Sequence, residues 1–197
     1  MLELDTYDLR TIVQSPGWPE FKTQMAAFGL IPHLLEMGDN IRGIELGVCW
    51  GLNSYTMLES CPNLVGLTGV DHFLSYRDWD RLIDQEEQDH NYTKLLCNMD
   101  LMGPRFNLVR ESTVNASIDI ENESQDFVFV DADHSMKAVL NDLDHYWPKL
   151  KSGGIMAGHD SNLFGVNFAV TSWAKHHGID PSSIGTLVNS AWWFRKP

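Results

Sequence analysis

The sequence predicts an α/β fold, a mostly parallel seven-stranded sheet with helices on both faces, and three observations carry that reading. Short apolar runs of strand type alternate with segments of helical period along the 197 residues. Two of those runs stop abruptly at polar turns from which a helix departs, "IELGVCWGLNS" and "FVFVDADHS". No repeat, low-complexity tract or linker-like stretch breaks the pattern, so residues 1–197 read as one domain long enough to bury a core.

Taken in order, residues 1–40 form a helical segment. Phe21, Met25, Phe28 and Leu35 fall near helical spacing there, interrupted by Pro32. Strands are expected at Ile41–Leu46, Leu64–Val70, Phe106–Val109, Asp126–Val130 and Ile155–Ala157, with a final pair near Ile184–Val188 and Ala191–Arg195. Met136, Val139, Leu140, Leu143 and Trp147 make a helical stripe that Pro148 ends, and Gly153-Gly154 turns the chain into the next strand. Val166, Ala169, Val170, Trp173 and His177 mark a further helix that Gly178 stops. Residues 72–105 are the least regular part, with Tyr76, Trp79, Tyr92 and one helix near Tyr92–Leu101. Such a segment reads as a substrate or lid segment, and equally as a surface excursion carrying one helix.

Composition narrows the function classes. Hydrophobic residues are 43% and charged residues 21%, an ordinary globular mix, and the formal net charge is −13. That acidity argues against a nucleic-acid backbone or an anionic membrane as partner, and its plainest role is a solubilising surface. Cys49, Cys61 and Cys97 lack metal-type or redox spacing and read as reduced thiols. "MLELDTYDLR" lacks the regions of a signal peptide, and no apolar run approaches the roughly 20 residues of a membrane span. A soluble, cytoplasmic protein is expected.

Chemistry concentrates at strand ends. Gly47 and Gly51 flank a tight turn after the strand ending near Glu45, and Asn53-Ser54 open a helix. Glycines let a backbone approach a ligand closely, and a new helix presents free N–H groups. The spacing is not that of a G-x-G-x-x-G dinucleotide turn, which argues against a nicotinamide dehydrogenase. Asp71 closes the second strand, where a carboxylate can accept bonds from ribose hydroxyls.

With these residues in register the chain resembles the class I S-adenosylmethionine-dependent methyltransferases, whose fold is Rossmann-like. The resemblance runs through "FVFVDADHS", "LKSGGIMAGHDS" and "AWWFRKP". It is nearest to cation-dependent small-molecule O-methyltransferases, the group acting on macrolide sugars and the cephalosporin-hydroxylase-like proteins. The resemblance implies S-adenosylmethionine as cofactor, with Glu45, Gly47 and Gly51 along its methionine part, Asp71 at the ribose, Ser112 near the adenine and Asp133 approaching from the fourth strand's loop. Ser54 is either a further contact or a helix N-cap.

Asp131 ends the fourth strand and Asp160 follows the fifth, one strand–helix–strand unit later. Neighbouring strands lie about 4.8 Å apart, so the two carboxylates can converge on one divalent cation, Mg²⁺ or Mn²⁺. In the sugar-methylating group an acidic residue stands where this chain has His159, so the resemblance makes His159 a third ligand and tilts the preference toward softer ions. His134, three residues after Asp131, matches the general-base position of those relatives, and its ordinary pKa of about 6.5 suits removal of a hydroxyl proton. Its plainer role is to cap the next helix.

The expected activity is metal-assisted O-methylation of a small-molecule hydroxyl, a sugar or polyol ahead of a catechol. A hydroxylase-like enzyme of the same fold and a non-catalytic nucleoside-binding protein are the alternatives. Oligomeric state stays open, with a homodimer through the N-terminal helix or the "AWWF" strand compatible with the sequence.

Overall fold

The computed structural model describes residues 9–78 and 81–197. In chain order its strands are β1 (Ile41–Leu46), β2 (Leu64–Val70), β3 (Tyr76–Asp78), β4 (Arg81–Ile83), β5 (Phe106–Val109), β6 (Gln125–Val130), β7 (Leu150–Gly158), β8 (Gly185–Thr186) and β9 (Trp192–Arg195). Its α-helices are α1 (Leu9–Val13), α2 (Trp18–Phe21), α3 (Ile31–Leu35), α4 (Leu52–Ser60), α5 (Gln85–Met102), α6 (Thr113–Ala116), α7 (Met136–Tyr146) and α8 (Phe164–His176).

Seven strands make one sheet in the order β5–β2–β1–β6–β7–β9–β8, while β3 and β4 form a separate antiparallel pair. Pairing is parallel from β5 to β7, and β9 runs antiparallel to β7 and β8. The central strands are buried on both faces, as a parallel sheet between helix layers requires. Alternation along β6 sends Phe127 and Phe129 into one layer, with Leu30, Met57 and Leu95. Val128 and Val130 enter the other, with Val139, Val170 and Trp173. The chain winds outward from β1 through β2 to β5, then returns to place β6 on the other side of β1. That reversal opens a crevice at the carboxyl ends of β1 and β6, the usual ligand position in such sheets.

The observed β1, β2 and β5 have the expected bounds, and β6 starts one residue early. Elsewhere the sequence reading is corrected. The glycine pair does not precede β7 but lies inside it, at an irregularity where Gln125 pairs with Leu150 and Phe127 next pairs with Ile155. β8 is only Gly185–Thr186, because Val188–Ser190 turn as a 3₁₀ segment. Residues 18–35 are four short helical pieces rather than one helix, and Pro32 sits in the first turn of α3 instead of interrupting it. Buried there are Trp18, Ala26, Ala27, Leu30, Ile31 and Leu34, while Leu35 is exposed.

Helix α5 begins seven residues before its expected start. Asp84 caps it by accepting the Glu87 N–H at 2.9 Å, and Glu86 and Glu87 complement its N-terminal dipole. Its inner face is Gln88, Leu95, Asn98 and Met102, so two polar residues hide the stripe from a hydrophobicity reading. Among the described residues no helix is long and apolar enough to cross a membrane.

Candidate active site

Strand register builds the site. Leu46 pairs with Val70 on one side and Val130 on the other, and Val130 pairs with Gly158. The next residues, Gly47, Asp71, Asp131 and His159, therefore leave the sheet along one rim. Backbone bonds hold them there: Gly47 N–H to the Val70 carbonyl, Asp131 N–H to Leu46 and His159 N–H to Val130, at 2.9, 2.8 and 3.0 Å.

At the first corner Gly47 has φ +83°, and a Cβ would lie 2.1 Å from the Asp131 carbonyl oxygen, so the turn admits only glycine. Gly51 caps α4 at φ +91°, and a Cβ there would meet Met102 and Leu95 of α5. The turn's amides are gathered by Asp71, whose Oδ2 accepts from Val48 and Cys49 and whose Oδ1 accepts from Phe73, each at 3.0 Å. A carboxylate has about four acceptor positions, so one remains for a ribose hydroxyl while these bonds persist.

A cavity of about 400 Å³ opens beside this corner, walled by Gly47, Asp71, Ser112 and Asp133. Tyr76, Ile83 and Gln88 close its other side, which gives residues 72–105 the role of a cavity wall. Three other residues expected at the cofactor, Glu45, Gly51 and Ser54, do not line this cavity. Glu45 is fully buried behind the turn and accepts a short bond from the Ser54 hydroxyl. Burial pushes its carboxyl well above the usual range, and the charges of Asp131 and Asp71 add to that. Ser54 is inside α4, not at its N-cap, which is Gly51. Ser112 caps α6 through the Asn115 N–H, and Asp133 accepts from the Ser135 N–H at 2.7 Å. Tyr92 packs on Phe73 with the Arg110 guanidinium over its ring, and Trp79 lies outside the described residues.

The second corner is a cluster of carboxylates and imidazoles. His134 Nε2 lies 2.8 Å from Asp160 Oδ2 and 3.6 Å from Asp131 Oδ1. His159 Nδ1 approaches the same two oxygens at 3.1 and 3.4 Å. Burial opposes charge on His134, yet bonds to Asp131, Asp160 and Asp78 override it and push the imidazole up to about 11. His159, likewise opposed by burial and held by Asp131 and Asp160, rises to about 10. Asp160 is pulled well below the usual carboxylate range: burial works against this, but both imidazoles donate to it. Two protonated imidazoles thus neutralise the pair, so His134 cannot act as a base until another cation takes that place. Asp160 also has φ +57°, a local strain of the kind found at ligand sites.

The donors fit a divalent cation. Asp131, His134 and Asp160 offer ligand atoms all within 4.8 Å of one another. His134 Nε2 is buried 2.8 Å from Asp160 without an aligned hydrogen bond, and on loss of its proton it would offer a lone pair beside the carboxylates.

Three residues of this region were given no role at the site from the sequence. Asn53 donates from Nδ2 to Asp131 Oδ2 at 3.0 Å and accepts the Ala27 N–H at 3.1 Å, so it ties the N-terminal segment to the cluster. Asp78, on β3, takes both oxygens to His134 Nδ1 at 3.0 Å. Asp142, on α7, is a buried carboxyl in the cavity wall that burial pushes up to about 7. Polarity within the apolar α7 stripe was a signal for Asp142; none marked Asp78. A second cavity, of about 260 Å³, shares Gly47, Cys49 and Asp131 with the first. It is bounded by Met25, Trp50 and His159, and among the described residues no Lys or Arg lines it.

Residues 44–161, more than half of the chain, match a family model described as a methyltransferase domain. No curated protein matches the chain significantly. Among solved structures the fold is shared with the O-methyltransferase NovP, at 13% identity and a TM-score of 0.60 over 89% of this chain and 78% of that one. A Corynebacterium glutamicum protein gives 15% and 0.59 over 90% and 81%, and cofactor-bound Rv0187 from MTB 12% and 0.59 over 86% and 78%. At such identities the likeness is one of fold.

Proposed function

The chain belongs to the family of methyltransferase domains and is an S-adenosylmethionine-dependent methyltransferase, and from that premise we propose that it methylates a hydroxyl of a neutral small molecule, a sugar or polyol, with a divalent cation at the acceptor oxygen. The observation that carries this is that the two cavities share Gly47, Cys49 and Asp131 in their walls, with the carboxylate–imidazole cluster beside them. One cavity suits the cofactor; the other suits the acceptor, and its lack of basic residues favours an uncharged one.

When bound, S-adenosylmethionine supplies a methyl group on a positively charged sulfur, and a cation supplies a Lewis acid for the hydroxyl. The protein's residues then have four tasks. Asp71 and Ser112 hold the nucleoside end, and Gly47, in the wall of both cavities, keeps the turn between them free of a side chain. Asp131 and Asp160 would hold the cation, with His159 Nδ1 beside the same oxygens as a third donor. Trp50 and Met25 flank the acceptor and align its oxygen, an orientation effect. His134 takes the hydroxyl proton through Nε2 once the carboxylates no longer hold it protonated.

The test is calorimetric titration with S-adenosylmethionine, after EDTA treatment and again with Mg²⁺ or Mn²⁺. Micromolar binding of the cofactor and a separate heat from the cation are expected. The cation's affinity should rise with pH, because His134 and His159 must surrender protons to it. Cofactor binding without any cation binding would overturn the metal-assisted reading.

A further inference from the structure

The bonds to His134 support one more step, which rests on its reading as the base. Its Nδ1 lies 3.0 Å from each oxygen of Asp78, and Asp78 Oδ1 also accepts the His134 backbone N–H at 3.1 Å. An ionised carboxylate only accepts, so Nδ1 is the nitrogen that carries a proton. Nε2 is left on the opposite edge of the ring, toward Asp131 and Asp160. Both side chains are about four-fifths buried, exposing 19% and 21% of their surface, so water competes little for the pairing.

We propose that Asp78 is the positioning residue for His134, holding the neutral imidazole as the Nδ1–H tautomer so that Nε2 stays turned toward Asp131 and Asp160, where the acceptor hydroxyl would be brought. In the transfer the O–H bond breaks and an Nε2–H bond forms. The oxygen's electron pair makes the new bond to the methyl carbon, and the C–S pair leaves with sulfur. Asp78 then faces an imidazolium, whose charge it stabilises. This is the logic of an acid–imidazole–hydroxyl relay, in which the acid orients without itself taking the proton.

The inference also gives the β3–β4 pair a task. Asp78 is 56 residues from His134 in sequence. Tyr76, two positions earlier and so on the same face of β3, lines the first cavity, as does Ile83 of β4. One small antiparallel pair thus touches both the cofactor cavity and the base.

The experiment is two-bond ¹⁵N–¹H correlation on the full chain with ¹⁵N-labelled histidine, saturated with Mg²⁺ at pH 8, with His134 assigned by the signal lost in His134→Gln. The wild type should show the Nδ1–H tautomer. In Asp78→Asn the amide oxygen keeps the backbone N–H of His134, so its NH₂ turns to Nδ1 and the pattern should switch to Nε2–H. Asp78→Glu should restore Nδ1–H. The same protonation pattern in wild type and Asp78→Asn, or Nε2–H in the wild type, would overturn the proposal. S-Adenosylmethionine affinity, measured on the same samples, should be unchanged in Asp78→Asn. A wild type that binds neither cofactor nor Mg²⁺ would sink the functional reading instead, whatever the tautomer.

Discussion

The sheet rim and the segment of residues 72–105 build the same site by different means. At the rim, Asp71, Asp131 and His159 each come one residue after the last paired residue of a parallel strand, so backbone register alone brings them side by side. In the other segment, Tyr76 and Gln88 line the first cavity, and Asp78 reaches His134 through a side-chain contact between elements far apart in sequence. The rim is rigid because the sheet over-determines it, and it can concentrate like charges, buried turns and a strained Asp160. The added segment contributes walls and orientation, and its Phe73, Leu95 and Met102 pack into the core layer on one face of the sheet.

That contrast predicts unequal costs. The largest effect is expected from Asp160→Ala, which should abolish the calorimetric signal of cation binding and leave S-adenosylmethionine affinity within a few-fold. Retained cation binding would remove the rim's claim to be the metal centre. Next, Gly47→Ala forces a Cβ into the Asp131 backbone at a positive φ and should cost about 4 kcal/mol in chemical denaturation.

Asp142 sharpens the comparison through pH. The folded carboxyl binds its proton up to about 7, whereas the unfolded one releases it near the ordinary 3.8. The folded state therefore holds more protons between those values, and stability falls as pH rises through that window. Asp142→Asn should remove the fall, gaining roughly 4 kcal/mol on the wild type between pH 4 and pH 8 by the pKa-unit conversion. Parallel stability–pH curves for the two proteins would contradict it.

The smallest effect belongs to the added segment. Asp84→Ala, which removes the N-cap of α5, should cost about 1 kcal/mol in thermal or chemical melts, with cation binding untouched. A loss as large as that of Gly47→Ala would break the contrast and make α5 part of the structural frame.

The sequence alone determined a good deal of this. Strand positions followed from apolar runs, and because a parallel strand's end is a fixed place on the sheet, the acids that follow those runs fall on one rim by their position in the chain. The turn from Gly47 to Gly51 was legible for the same reason: a backbone with positive φ announces itself in residue type. Polar burial was not legible. Gln88, Asn98 and Asp142 lie on inward faces where a hydrophobicity pattern expects apolar side chains, and the start of α5 was lost with them. The charge state of His134 was also beyond reach, since its ordinary titration gives no sign of the three carboxylates that gather around it. Only the tertiary structure brought Asp78 to that imidazole and Asn53 to Asp131. The physical reason is that secondary structure and register are set by local periodicity, whereas a side-chain hydrogen bond between distant elements depends on how whole layers pack.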